Sequence, residues 1–163
     1  GLDKLIVFVH WGYEYKDFPN SFQKKFNRYF YELGVDVVIG SHPHVLQPMI
    51  YKNHYQREFL TAFSLGNFVS NQRDARKDGG AMLRLSFEKK GQNISISRKE
   101  YLLIWVHKFL KNNQLYYEIL PCSKNFKVFL TTPFKNWLVT DVNPDVILVK
   151  ICWLLGSLIK CIM

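Results

Sequence analysis

At 163 residues, with hydrophobic side chains at 48% and aromatic ones at 16%, the chain has enough apolar content for a packed core, which excludes intrinsic disorder. Lys and Arg number 22 against 13 Asp and Glu, and the resulting formal charge of +9 attracts polyanions of some kind. Those cations are spread along the chain without a nucleic-acid motif, and the aromatic residues fit sheets and helix stripes better than a base-stacking platform, so no nucleic-acid partner is expected.

Residues 5–9 form an unbroken β-branched and aromatic run, too short for a helix, which predicts a strand buried on both faces and closed by His10. A helix follows: Asn20 can cap its first turn, Gln23 holds the capping-box position, and Phe22, Phe26, Tyr29, Phe30 and Leu33 recur at helical spacing until Gly34. Lys24, Lys25 and Arg28 fall largely off that stripe, so the helix is expected to lay its aromatic face on a sheet and its basic side in water. Residues 35–39 then start a second buried strand, followed by G-S-H-P-H at 40–44. Right-handed crossover makes the two strands parallel with their carboxyl ends on one edge, where open α/β sheets bind ligands. His10, His42 and His44 meet there as a candidate metal site, since residues two apart in an extended segment point to one side and neutral imidazole is a common metal ligand. A lone loop or core histidine is usually structural; three converging on one sheet edge tip the balance toward a site.

Residues 59–65 read as another buried strand, leading into Gly66-Asn67-Phe68, where glycine permits a tight turn and Asn67 either offers its amide to the histidine edge or serves the turn alone. Residues 71–80, rich in charge and ending in Gly79-Gly80, read as a mobile surface loop from which Arg73, Arg76 or Lys77 could touch an anionic substrate. From 81 to 88, Ala81, Leu83, Leu85 and Phe87 alternate with Met82, Arg84, Ser86 and Glu88, the period of a half-buried strand. Ile94 and Ile96 mark the next strand, residues 101–107 another and 115–120 the last, a series of antiparallel connections that predicts a second sheet packed on the first. In the tail, residues 146–163 are apolar but interrupted by Lys150 and Lys160, leaving a run shorter than the roughly 20 residues of a membrane span. A buried or amphipathic helix is expected there. Cys122, Cys152 and Cys161 are odd in number, lack C-x-x-C spacing and read as small packed hydrophobes.

The strings H-W-G-Y-E-Y at 10–15, G-S-H-P-H-V-L-Q-P at 40–48 and S-L-G-N-F at 64–68 resemble three successive signatures of the CapA family, the bacterial capsule-synthesis or poly-gamma-glutamate synthesis proteins. The similarity covers about residues 3–121. That family in turn resembles the calcineurin-like metallophosphoesterases, whose dinuclear site takes one histidine from a strand end and a pair from a late G-H-x-H-like element. The resemblance implies an α/β fold, a metallophosphoesterase-like sandwich that is incomplete here, with a parallel βαβ unit followed by antiparallel strands. It implies a CapA-like domain over residues 1–121 and an extension over 122–163. By the same resemblance His10, His42 and His44 are metal ligands for divalent ions, two in the full-length protein. His10, Glu14 and Asn67 are the expected catalytic residues, and Arg73 and Arg76 of the charged loop are the expected substrate contacts.

The family's acidic G-D motif and its N-N-H motif, which would supply the bridging carboxylate and further ligands, do not occur in the sequence. The chain is therefore expected to be a C-terminal fragment, inactive alone. Among the nearby carboxylates, Asp36 begins a strand at the opposite end of the sheet and Asp17 falls in a loop. Glu14 lies within the matched string, where it would orient a histidine or bind a substrate cation, or simply stand solvated. The implied work is biosynthesis of an anionic surface polymer through a metal-dependent, hydrolase-like site. The polymer or its synthase is the expected partner. The expected location is the extracytoplasmic cell envelope, with membrane association through an upstream segment. The alternative is a polymer-binding or synthase-scaffolding domain without chemistry, which metal dependence separates from the first reading.

Overall fold

The computed structural model describes residues 2–55 and 57–122 throughout, and beyond them only the backbone of three short strands. β1 (Lys4–His10), α1 (Ser21–Glu32) and β2 (Val37–Ser41) form the expected strand-helix-strand unit, with β1 and β2 parallel and His10 opposite Ser41. β4 (Arg57–Leu65) extends this sheet in parallel beside β2, and β3 (Leu46–His54) returns antiparallel along β4 at the edge. Val37, Val38 and Leu60 are wholly buried, as continuous apolar runs in parallel strands covered on both faces should be.

The sequence reading contained no strand over β3. Pro48 breaks the pattern there and is passed over in the pairing with β4, a position an edge strand tolerates because no partner needs the missing N–H.

The second sheet is antiparallel, built from β5 (Gly79–Lys90), β6 (Asn93–Lys111) and β7 (Gln114–Pro121), with β8 (Lys127–Val128) also paired to β6. The two strands expected around 94–96 and 101–107 are one continuous strand. The polar residues between them do not break it, because a register shift opposite Ser86 and Phe87 absorbs one extra residue as a bulge. The two sheets meet through Ala81, Leu83, Ile96 and Tyr101 on one side and Val37, Met49, Leu60 and Ala62 on the other. On the opposite face of the first sheet, Val7, Val9, Val38, Phe59 and Phe63 pack with Trp11 and Phe30. The architecture is an α/β sandwich of one mixed and one antiparallel sheet.

α1 is capped as read: Gln23 N donates to Asn20 Oδ1 at 2.8 Å, and Asn20 N donates to Gln23 Oε1 at 3.1 Å. Its aromatic stripe is a correction. Phe30 is buried, but Phe22, Phe26, Tyr29 and Leu33 are exposed, and the other buried helix residue is the polar Gln23. The helix turns one edge of its stripe to the sheet because the capping amide of Gln23 is drawn inward into a polar network described below.

The tail departs from the expected helix as well. β9 (Val149–Leu155) runs parallel to β1, and β10 (Leu158–Ile162) returns antiparallel to β9. Val149, Ile151 and Trp153, spaced two apart in the sequence of β9, favour a strand. Cys122 is exposed just past β7 rather than packed, and the side chains of Cys152 and Cys161 lie outside the described residues.

Candidate metal centre

Trp11 anchors the end of β1. Its ring stacks on Phe63 at 5.6 Å and its Nε1 donates to Phe63 O at 2.8 Å, which fixes the strand end over the first sheet. Gly40 makes room for this contact, since a Cβ there would lie 2.1 Å from Phe63 O and 2.4 Å from Trp11 Nε1. The chain then turns through Gly12 in the left-handed region at φ +89°, with the Gln23 amide against it. Gln23 Nε2 donates to Gln47 Oε1 at 2.7 Å, and Gln47 Nε2 donates to Lys16 O at 2.8 Å. This buried amide relay ties the 12–19 loop to both α1 and β3.

The same loop is pinned to the histidine turn, where Tyr15 N donates to Pro43 O at 2.7 Å. Glu14 is thereby brought opposite His42 and His44, and one ligand atom from each of these three residues lies within 4.8 Å of the others. His44 Nε2 is 3.6 Å from Glu14 Oε1.

The histidines reach this point by a different route from strand alternation. β2 ends at Ser41, and His42 and His44 both have positive φ, +99° and +57°, as does Tyr15 at +62°. Left-handed backbone is costly for non-glycine residues, and its concentration around one cluster is a common property of functional sites. His10 lies beside the cluster: its ring is 4.5 Å from that of His42, and its Nδ1 is a long 3.4 Å from Ser41 Oγ, which itself donates to Val9 O. Burial, reinforced by His42 and His44, lowers the His10 pKa below its ordinary value, which favours the neutral imidazole.

Asn67 sets the chemistry of His44. Its Nδ2 donates to Lys77 O at 2.8 Å and to Gln72 Oε1 at 3.1 Å, two acceptors that fix the amide orientation and leave Oδ1 as the acceptor facing His44 Nδ1 at 2.8 Å. His44 therefore donates from Nδ1 to Asn67, which turns Nε2 toward Glu14. Asn67 is itself held from behind by a backbone approach: its N–H donates to Gly79 O at 3.0 Å, and a Cβ on Gly80 would sit 2.4 Å from its carbonyl oxygen. The Gly79-Gly80 pair is thus a close-packing requirement rather than a flexible hinge.

The loop expected to be mobile is tied to the body at several points. Arg73 spends its guanidinium on the carbonyls of Val106 and Ser70, at 2.6 and 2.7 Å. Arg76 pairs with Asp17, and Lys77 pairs with Asp74 while lying over the Tyr15 ring. Asp36 accepts from Lys4 Nζ and Leu5 N at the far end of β1. Of the residues singled out from the sequence, the structure assembles Glu14, His42, His44 and Asn67, sets His10 alongside, and places Arg73 on backbone. Sequence reasoning missed Trp11, Gln23 and Gln47 as the frame of the site. The signals available were the glycines at 12 and 40, each flanking a motif where a side chain must pass close to backbone.

Two imidazole nitrogens and a carboxylate oxygen form a donor set for a divalent cation, with few enough protein ligands to leave positions open. The donors are partly exposed, so a substrate can reach them. Among the described residues this is the only group of three or more such side chains with that convergence.

The profile described as "Bacterial capsule synthesis protein PGA_cap" matches residues 2–72. The "PGA biosynthesis protein CapA" of Bacillus subtilis (strain 168) is 36% identical over 89 residues, covering 55% of this chain and 22% of that protein. The "Capsule biosynthesis protein CapA" of Bacillus anthracis is 33% identical over 93 residues, 56% of this chain and 21% of the relative. The chain thus spans about a fifth of the length of these curated relatives. No solved structure matches it. All five residues gathered at the sheet edge, from His10 to Asn67, fall inside residues 2–72, the segment that is similar to the bacterial capsule synthesis family.

Proposed function

We propose that the chain supplies the metal-binding edge of a hydrolase-like site acting in biosynthesis of a capsule or poly-gamma-glutamate type surface polymer. The observation that carries this reading is the convergence of Glu14, His42 and His44 within 4.8 Å, built on left-handed backbone at Tyr15, His42 and His44. Those three side chains would hold a divalent ion, with His10 available beside them toward a second ion completed by upstream residues. An ion held there would supply polarisation of a phosphoryl or acyl oxygen and a lowered pKa for its bound water. The chain's own part is positioning: Asn67 holds the proton of His44 on Nδ1, the Gln23–Gln47 relay holds the loop bearing Glu14, and Trp11 fixes the strand end bearing His10. The likeness to capsule biosynthesis proteins supports a setting in the cell envelope in general. The extracytoplasmic side, the polymer or its synthase as partner, and attachment through an upstream segment belong to this proposal. Among the described residues no helix is long and apolar enough to cross a membrane.

A second reading, a polymer-binding or scaffolding domain, draws on the charge of +9. The deciding experiment uses the full-length protein and its His42→Ala, His44→Ala and Glu14→Gln variants. Metal content by plasma mass spectrometry and hydrolysis of bis(p-nitrophenyl) phosphate are measured side by side. Bound metal that falls at least about tenfold in each variant, with activity falling in step, supports the hydrolase-like site. A metal-free protein whose variants bind polymer normally establishes the scaffold instead.

A further inference from the structure

A cavity of about 390 Å³ opens between the two sheets where β3 enters and β5 begins, a volume suited to a small ligand. Its apolar lining comes from Val45, Leu46, Leu103, Ile104 and Trp105. Its charged lining is Asp17, Arg76 and Asp78. The cavity shares a wall with the metal cluster: Val45 follows His44 directly, and Gly80, which also lines it, backs onto Asn67.

We infer that this cavity is a saccharide subsite that takes an uncharged, N-acetylated amino-sugar ring of a glycan next to the metal-binding cluster. Two carboxylates against one guanidinium leave the lining net negative, which repels a carboxylate polymer such as a glutamate chain. A purely hydrocarbon ligand would bury those charged groups against apolar surface without hydrogen bonds. A sugar ring satisfies both demands. Its C–H face packs on an aromatic ring, its hydroxyls bond to carboxylate and guanidinium, and an acetamido methyl fills aliphatic space. Trp105 is prepared for that role: its Nε1 donates to Asp78 Oδ2 at 2.8 Å, and its ring is stacked at 5.1 Å on His107, which fixes the indole where it lines the cavity. Asp17 and Asp78 each engage one carboxylate oxygen among the described residues, leaving the second for a hydroxyl.

The inference goes beyond the reading of the cluster as a site for an anionic polymer, since the ring taken here is uncharged; ring binding does not depend on metal, and the test separates the two. The full-length protein is labelled with 5-fluorotryptophan, kept in EDTA, and titrated with triacetylchitotriose, maltotriose and a γ-linked glutamate trimer. Fluorine NMR reads the Trp105 resonance, assigned with Trp105→Phe. Triacetylchitotriose should shift it with millimolar or tighter affinity, while the other two should not. Asp78→Asn, which keeps an oxygen for the indole N–H, should weaken binding severalfold by this readout, and Trp105→Ala, which lacks the reporter and is titrated by calorimetry instead, at least tenfold. No shift up to about 10 mM triacetylchitotriose, an equal response to maltotriose, or a stronger response to the glutamate trimer would overturn the inference. Sugar binding in EDTA by a protein that takes up no metal would sink the hydrolase-like reading and leave this subsite standing.

Discussion

Asn67 decides which nitrogen of His44 is free, and it does so through three hydrogen bonds that no single-residue motif reveals. Removing it leaves His44 untethered and able to adopt either tautomer. Asn67→Ala should therefore weaken metal binding by about 10 to 100-fold, read by competition with a chromophoric chelator, and ¹⁵N NMR should show His44 losing its single Nδ1–H form. His10 gives a pH prediction of defined sign. Burial first, then His42 and His44, hold its folded-state pKa below the ordinary 6.5. The unfolded chain then binds this proton more readily than the folded one, so stability from this group is present above 6.5 and is lost as pH falls through the window beneath it. His10→Gln should flatten the fall in unfolding free energy between neutral and mildly acidic pH, measured by urea titration, with a modest effect because burial covers only part of the side chain.

At the scale of elements, the sheet edge stands on close backbone approaches. A Cβ at Gly40 would meet a backbone oxygen that cannot rotate away, so Gly40→Ala should cost about 2 to 3 kcal/mol in denaturant unfolding and shift the fluorescence of the buried Trp11. The helix gives the opposite contrast. Phe30→Ala should cost about 3 kcal/mol or more, whereas Phe22→Gln should stay within about 0.5 kcal/mol, because only the first ring is buried. Continuous apolar runs made β1, β2 and β4 legible, because strands buried on both faces have no polar positions to confuse the period. β3 was hidden by Pro48, which breaks a pattern without breaking an edge strand, and the true length of β6 was hidden by polar residues that a bulge accommodates. Burial of α1 was misjudged because amphipathicity says which side of a helix is apolar, not how much sheet lies under it. At the site, the histidines and Glu14 could be singled out from sequence, but their convergence rests on left-handed turns at Tyr15, His42 and His44 that residue types alone do not announce.

For the whole molecule, a charge of +9 and a three-donor cluster are two separate means of handling a polyanion, and they occupy different places. Arg73, Arg76 and Lys77, the cations of the loop that meets the site through Asn67, are held by carbonyls or carboxylates, while Lys16 on the Glu14 loop and Lys24 and Lys25 on α1 stand exposed. Long-range attraction should therefore come largely from the exposed lysines of α1, joined by Lys16, and screen with salt, and short-range chemistry from Glu14, His42 and His44. Paired variants of the full-length protein make this a crossed test. Lys24→Gln with Lys25→Gln should weaken binding of a poly-γ-glutamate probe and flatten its salt dependence while leaving metal uptake unchanged. Glu14→Gln should reduce metal uptake while leaving the salt dependence of polymer binding as it was. If the lysine pair changed metal uptake, or Glu14→Gln changed the salt slope, attraction and chemistry would share one surface, and the division of labour argued from these positions would fail.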